Sequence, residues 1–421
     1  MTEIRSFQAL HYNPEKSGDL SKVVCPPYDV ISPVQQKEYY AKSKNNFIRV
    51  MLAHDQNGDD EQNNRYTRAQ ETFEQWIAEG IIEQDEKPGI YFYKQEYKVL
   101  GTRHSRLGFI SLMRVQDDKD SRVFPHEKTH AQAKEDRLRL WSALKANLSS
   151  IFVCFSDKDK KIEKIFNKQV VVNDPFIDVM DEDDVRHQVW RLDDPVYVNQ
   201  IVETLDQQQL FIADGHHRYE VAKFYRRQQI AQGGAAKGTA AYNYIMTYFT
   251  NMDSRDLQIF PMHRIVKSMS GKLDFLTEFF RIDKIRSKDD MVILLGKAGQ
   301  NEHAFILYTK DEVLLLRLKN KALIDKYIPE GSKAYRHLDA TILKHFILDR
   351  VDVQSEDIGY TKSIQDVMGA VESGEAQAGF IMNAVKVKQL RDIALNGERM
   401  PPKTTYFYPK VLSGLTVYKM D

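Results

Sequence analysis

Cysteine is nearly missing from this chain: Cys25 and Cys154 are the two among 421 residues. That excludes a disulfide framework and suits a reducing compartment. An excess of either charge is missing too. Lysine plus arginine and aspartate plus glutamate number 60 each, so no global field draws the chain toward nucleic acid or an anionic membrane. Long apolar runs are absent, none approaching the roughly 20 residues that span a bilayer. The first residues, "MTEIRSFQALHYNPEK", are too polar for a signal peptide. These absences predict a cytoplasmic protein with no membrane partner and no specific nucleic-acid partner, and leave its oligomeric state open.

What is present describes a globular protein. Hydrophobic residues make up 42% and charged residues 29%, ordinary values for a packed chain, and the length suits two or three units. The pattern predicts a mixed α/β (α+β) fold in three parts. Residues 1–165 form a mixed region with a proline-rich start around "VVCPPYDVISP"; 166–270 form a core carrying "ADGHHR"; 271–421 alternate helices and strands. "RYTRAQETFEQWIAEGII" puts Tyr66, Ala69, Phe73, Trp76 and Ile77 on one helical face. "GIYFYKQEYKV" and "RLGFISLMRV" read as paired strands, and "IFVCF" as a buried one. A charged helix is expected from Ala131 to Asn147, with Leu140, Leu144 and Leu148 at four-residue spacing.

"PHEKTH" contains His-Glu-x-x-His, the pattern in which two histidines on one helical turn grip zinc and the glutamate serves as base. A zinc hydrolase using His126, Glu127 and His130 is therefore one reading. Against it, Pro125 suits a helix start, the flanks are polar, and no third ligand stands at a customary distance. A polar ligand site drawing on His126, Glu127, Thr129, Lys134 and Arg137 is the other functional reading. A helix start with exposed polar groups is the plain one.

"FIADGHHRYEVA" carries more. A short apolar strand runs into Asp214, placed to cap a helix, and Gly215, which permits a turn without side-chain crowding. His216, His217 and Arg218 then put three potential cations into the first helical turn, where backbone amides already carry partial positive charge. An anion balances such an arrangement. Phosphate is the natural one, held by amides and an arginine fork; the alternative is a carboxylate from elsewhere in the chain. His263 and Arg264 of "FPMHRIV", and Lys403, Thr404 and Thr405 of "GERMPPKTTYFYPK", are further candidates to converge on it. Tyr28 and Asp29 of "PPYDV" are pinned by prolines, and Asp29 is a candidate base or Mg²⁺ ligand that could equally close a turn.

Six ordered blocks, "VVCPPYDVIS", "NNFIRVML", "PHEKT" with "KEDRL", "FIADGHHRYEVA", "FPMHRIV" and "GERMPPKTTYFYPKVLSGL", resemble those of the domain-of-unknown-function 1015 family from residue 24 to 415. Membership brings no established reaction, and the family's Pro-His-Glu-x-Thr pattern makes His130 incidental. "ADGHHRYEVA" is also similar to the Asp-Gly-His-x-Arg turn of the ParB and sulfiredoxin superfold, which includes chromosome-partitioning nucleotidases and free-serine kinases. That resemblance implies a ParB/sulfiredoxin-like core with an additional mixed α/β region. It also implies nucleotide phosphates at Asp214, Gly215, His216, His217 and Arg218. His216 stands where sulfiredoxin chemistry needs cysteine, which speaks against thiol repair.

The expectation is a nucleotide-dependent phosphotransferase or nucleotide hydrolase acting on a small molecule, with ATP or ADP and Mg²⁺. Glu127, His126, Asp29 and His217 are the catalytic candidates. Asp214, Gly215, His216, His217, Arg218, Arg137, His263, Arg264, Lys403 and Thr404 are the phosphate-binding ones, and Asp214 and Asp29 would hold the metal. A non-catalytic sensor of a nucleotide or phosphorylated metabolite is the alternative.

Overall fold

The structure, a computed structural model, describes residues 2–116, 121–127, 129, 131–271 and 273–420. The chain folds as two compact units. The first comprises Met1–Pro125, Thr129–Leu257 and Pro409–Asp421; the second comprises His126–Lys128 and Gln258–Tyr408. Both mix helices with sheet, so the α/β (α+β) class holds. Among the described residues no helix is long and apolar enough to cross a membrane.

The first unit is built on a nine-stranded sheet. Its strands are β1 (Ile4–Arg5), β2 (Ile90–Val99), β3 (Thr102–Arg114), β4 (Val123–Phe124), β5 (Ile151–Phe155), β6 (Ile177–Met180), β7 (Arg186–Leu192), β8 (Leu210–Asp214) and β9 (Tyr244–Asn251). They lie in the order β4-β8-β5-β9-β3-β2-β7-β6, with β1 on β3. The β4–β8 and β5–β9 pairs are parallel and the others antiparallel. Aromatic and branched residues favour these strands because they fill a pleated, buried surface. Phe109 shows it: it stacks on Phe249 at 5.1 Å and meets Phe92 and Phe155 at 6.1 and 6.2 Å.

Three helices matter for the site: α1 (Arg65–Ala78), α2 (Ala131–Leu144) and α3 (His216–Ala231). The expected face of α1 is the buried one, with Ala69, Phe73 and Trp76 in a core shared with Leu140, Leu144 and Val417. α2 packs between α1 and α3, and α3 lies against β5 and β9. The helix expected to reach Asn147 stops at Leu144. Lys145 takes φ +48°, and Ala146–Asn147 then pairs with Tyr418–Lys419. Leu148 is still buried in that core, but from beyond the helix. Helical spacing could not show this, because a strand about 270 residues downstream ends the helix.

The second unit holds an all-antiparallel six-stranded sheet. Besides a two-stranded antiparallel pair of β10 (Gln258–Pro261) and β17 (Thr405–Tyr408), it has a sheet of β11 (His263–Val266), β12 (Phe280–Lys284), β13 (Ala304–Thr309), β14 (Val313–Leu318), β15 (Ile358–Thr361) and β16 (Ala378–Met382). The sheet order is β12-β14-β13-β16-β11-β15. Separate apolar clusters pack around Phe280, Phe305 and Phe346, and around Ile306, Val367 and Ile381.

Replacing Phe109 by alanine is expected to cost about 3–5 kcal/mol, the range for truncating a buried aromatic. Urea unfolding followed by near-ultraviolet dichroism measures it.

Candidate functional site

Strand β8 delivers the site. Leu210 to Ala213 are buried apolar residues that fix the strand in the sheet, and Asp214 ends it. Gly215 then takes φ +88°, a left-handed turn open to glycine at no steric cost. A side chain there would also collide: a Cβ would lie 2.9 Å from Ile151 Cγ2 and 3.1 Å from Ile151 Cα. The start of α3 is thus pressed against the first residue of β5. His216, His217 and Arg218 are the first three helical residues; His216 and Arg218 are buried and His217 is half-buried.

Asp214 does not cap the helix. Gly215 occupies the cap position, and Asp214 Oδ1 instead accepts the Gly215 amide at 2.8 Å. Its Oδ2 accepts from Lys410 Nζ at 2.8 Å. The physical reason is that Lys410, from a segment 196 residues away, offers a full charge where a cap would offer neutral amides. Burial pushes the Asp214 carboxyl up, yet the charges of Lys410 and Arg218, with the two hydrogen bonds, outweigh it and hold the group well below the usual carboxylate range.

Lys410 is itself held. Gln95 Nε2 donates to the Lys410 carbonyl at 2.8 Å, and the fully buried Arg106 donates to the Pro409 carbonyl at 2.6 Å and, through Nε, to Gln95 Oε1 at 3.1 Å. The Leu412 amide donates to the Tyr93 hydroxyl at 3.4 Å. Tyr93 lies 2.5 Å from His187 Nδ1, and His187 Nε2 lies 3.0 Å from Asp181. Burial lowers the His187 pKa, so the ring is neutral; Tyr93 donates to Nδ1 and Nε2–H donates to Asp181. A polar network inside the sheet therefore places the ammonium group.

Arg218 NH1 donates to the Ser150 carbonyl at 2.5 Å, and NH2 stands 3.9 Å from Asp214 Oδ1. Arg137, on α2, donates to Asp136 at 2.7 Å and to the Met51 carbonyl at 2.9 Å, and lies 4.2 Å from the Tyr28 ring centroid. Cys25 and Ser413 exchange backbone hydrogen bonds of 3.3 and 2.8 Å that pin the loop leading to Tyr28. Tyr28, Arg137 and Arg218 line one cavity of about 40 Å³ with Ser149, Trp141 and apolar neighbours. Burial pushes the Tyr28 hydroxyl up to about 12, so it keeps its proton. Arg65, Arg137, Arg218 and Lys410 bring four positive charges against the three of Asp55, Asp136 and Asp214. The balance suits an anion, and the cavity has room for a group of a few heavy atoms but not for a nucleoside.

Of the remaining candidates, His126, Glu127, His263, Arg264, Lys403 and Thr404 belong to the second unit, and Asp29, Thr129 and Lys134 to the first. His126 is buried, its carbonyl accepts from Met400 N at 2.7 Å, and its Nε2 lies 3.3 Å from Thr405 Oγ1. Glu127 pairs in parallel with Met400, and its Oε1 accepts from Lys403 N at 3.2 Å. These two residues precede α2, which begins at Ala131, so Pro125 does not open that helix. His130 lies outside the described residues. Thr129 and Lys134 are half-buried residues of the first unit.

Thr404 Oγ1 donates to the Pro401 carbonyl at 2.5 Å. His263 Nδ1 accepts from Met382 N at 3.1 Å; burial, then the charge of Arg264, lowers its pKa to about 4, so it is a neutral acceptor. Arg264 donates to the Met262 carbonyl at 2.7 Å and faces the Tyr360 ring at 4.6 Å. Asp29 is exposed. Among the described residues no three or more His, Cys, Asp or Glu side chains gather as a metal site. A Mg²⁺ ion on Asp214 would compete with Lys410 for the same oxygen.

Tyr28, Lys410, Ser149 and Ser150 complete the arrangement, and no sequence pattern marks the last three as binding residues. Tyr28 carries a signal in its flanking prolines; a lone lysine after Pro409 carries none.

The model of the family described as "Protein of unknown function (DUF1015)" matches residues 4–341. No curated protein matches the chain. Among solved structures, a free serine kinase in complex with AMP is 13% identical with a TM-score of 0.34, covering 68% of this chain and 83% of its own. A conserved hypothetical protein from Pyrococcus furiosus is 12% identical, TM-score 0.34, covering 70% and 92%. SbnI with a C-terminal truncation, from Staphylococcus aureus, is 10% identical, TM-score 0.37, covering 72% and 85%. At these TM-scores the likenesses carry no part of the functional reading.

Lys410→Met is expected to lower stability by about 1–3 kcal/mol near pH 6, the cost of stripping a buried group of its partner. The Asp214 carboxyl is depressed in the folded state, so its stabilisation is complete above the unfolded pKa of about 4 and drains as pH falls through the folded one. Urea melts should show the gap between wild type and variant narrowing below about pH 4; a gap that stays constant through strong acid would contradict the ion pair's role.

Proposed function

The chain belongs to the DUF1015 family, whose description assigns no activity, and from the site's own geometry we propose that it binds a phosphate-bearing small molecule at the start of α3. The observation that carries this reading is the convergence of Arg137, Arg218 and Tyr28 on one cavity, beside a carboxylate already satisfied by Lys410. A guanidinium fork matches phosphate oxygens, and a helix start adds partial positive charge to the same place.

The finer proposal is that the ligand is a nucleotide such as ATP or ADP, and that its phosphate is transferred to a small molecule or to water. Support for it is chemical: phosphoryl transfer asks mainly for positioning and for cations on the phosphoryl oxygens. In this reading only the phosphate end enters the cavity, and the nucleoside stays outside it. A second reading, binding without turnover, is favoured by one observation. Asp214 is held so far below the carboxylate range that it is a poor base, so the cluster binds an anion better than it activates a hydroxyl.

Thermal-shift titration of the full chain with orthophosphate, AMP, ADP and ATP tests the proposal, because a ligand bound only by the native state raises the melting temperature. A saturable rise is expected with at least one of them, weakened about tenfold or more in Arg218→Lys, which keeps the charge and loses the fork. No shift with any phosphate compound would overturn it. Release of labelled phosphate from the bound nucleotide then separates turnover from sensing.

A further inference from the structure

Two asparagine–glycine pairs occur in the sequence, Asn57–Gly58 and Asn396–Gly397, and the fold holds them differently. Such a pair is chemically labile because glycine, lacking a Cβ, leaves its backbone nitrogen open to the neighbouring carboxamide. All four residues are exposed. What separates the pairs is the glycine amide.

Asn57 and Gly58 form the tip of a turn in the segment that leads to α1. Asp59 N donates to the Gln56 carbonyl across the tip at 3.2 Å, and Gln56 N to Asp59 Oδ2 at 3.2 Å. Neither bond uses the Gly58 amide, which has no hydrogen-bond partner among the described residues, and nor has the Asn57 carboxamide. Gly58 takes φ +91°, and nothing lies within 4 Å of where a Cβ would stand.

Asn396 and Gly397 instead close the helix Val387–Leu395. There Asn396 N donates to the Asp392 carbonyl at 3.2 Å, Gly397 N to the Ala394 carbonyl at 3.0 Å, and Glu398 N to the Ile393 carbonyl at 3.2 Å. The Glu398 carboxylate in turn accepts from the Ser332 amide at 2.5 Å. The Gly397 nitrogen is engaged, and both its flanks are held.

We propose that Asn57–Gly58 is a site of spontaneous covalent modification in the folded protein, by attack of the Gly58 nitrogen on Asn57 Cγ. Hydroxide takes the Gly58 amide proton, and the nitrogen forms a bond to Cγ. The bond from Cγ to the carboxamide nitrogen breaks, and that nitrogen leaves as ammonia with a proton from water. Water then opens the cyclic imide at either carbonyl, leaving aspartate or isoaspartate. Either product adds a negative charge to a segment that already carries Asp55, Asp59, Asp60 and Glu61.

The base of this turn is anchored although its tip is not. Arg68, on α1, donates to Asp59 at 2.7 and 2.9 Å and to the His54 carbonyl at 2.9 Å. Those bonds confine the change to the tip, so the modified chain stays folded. Asn396 reacts more slowly, because its glycine nitrogen must first give up a hydrogen bond, a penalty of about fivefold or more in rate.

Peptide mapping by mass spectrometry, on the full chain aged at mildly alkaline pH with and without denaturing urea, tests this. In the native protein, exchange of amide for acid should accumulate about fivefold or more faster at Asn57 than at Asn396, and in urea the two rates should converge. Aged native protein should also give a more acidic species on anion exchange, with the melting temperature of the fresh protein, and Asn57→Ser should lack that species. An Asn57 that stays intact, or native rates that are equal, would overturn the proposal. So would a difference that persists undiminished in urea, because neighbouring sequence rather than the fold would then set it. An acidic species without a melting transition would overturn the confinement to the tip.

Discussion

The ion pair between Lys410 and Asp214, 2.8 Å from Nζ to Oδ2, is the interaction on which the first unit's arrangement turns. It joins the end of β8 to a segment near the end of the chain, 196 residues away. It also fixes the charge balance at the start of α3. With Lys410 in place, Asp214 is satisfied, and Arg218 sits at the 3.9 Å edge of its reach, bonded mainly to the Ser150 carbonyl. Remove the lysine, and Asp214 would claim the guanidinium as its counter-ion. The cation that an anionic guest needs would then be neutralised inside the protein.

Such a pair must be held firmly, because two partly buried charges lose as much in desolvation as they gain unless their hydrogen bonds are complete. The sheet does this. Arg106 and Gln95 grip the carbonyls of Pro409 and Lys410, and Tyr93 with His187 and Asp181 takes the Leu412 amide. The same segment carries Ser413, which binds the backbone of Cys25 and so places the Pro-Pro-Tyr turn. One stretch of chain thereby sets both the charge beside Asp214 and the aromatic ring over Arg137. The second unit uses its polar residues differently: His263 accepts a backbone amide within its sheet, and Glu127 and Thr404 tie down the segment around Pro401 and Lys403.

Much of this could be read from residues alone, and the limits have physical causes. The strand, left-handed glycine and helix of "FIADGHHRYEVA" were legible because each feature is local: apolar run, glycine, then helix-forming residues. The buried face of α1 was legible for the same reason. Non-local facts were not. Asp214 reads as a cap until a lysine 196 residues away captures it. The helix from Ala131 to Asn147 reads as continuous until Ala146–Asn147 pairs with Tyr418–Lys419. His126 reads as a helix start after Pro125 until its carbonyl meets Met400.

Whether the donors around Arg218 await an oxyanion is decided by a crystal structure of the full chain grown with orthophosphate. A tetrahedral peak within about 3 Å of the guanidiniums of Arg137 and Arg218, the two cations that line the cavity, is the predicted result. Water alone in that cavity, with phosphate bound elsewhere on the protein, would contradict it.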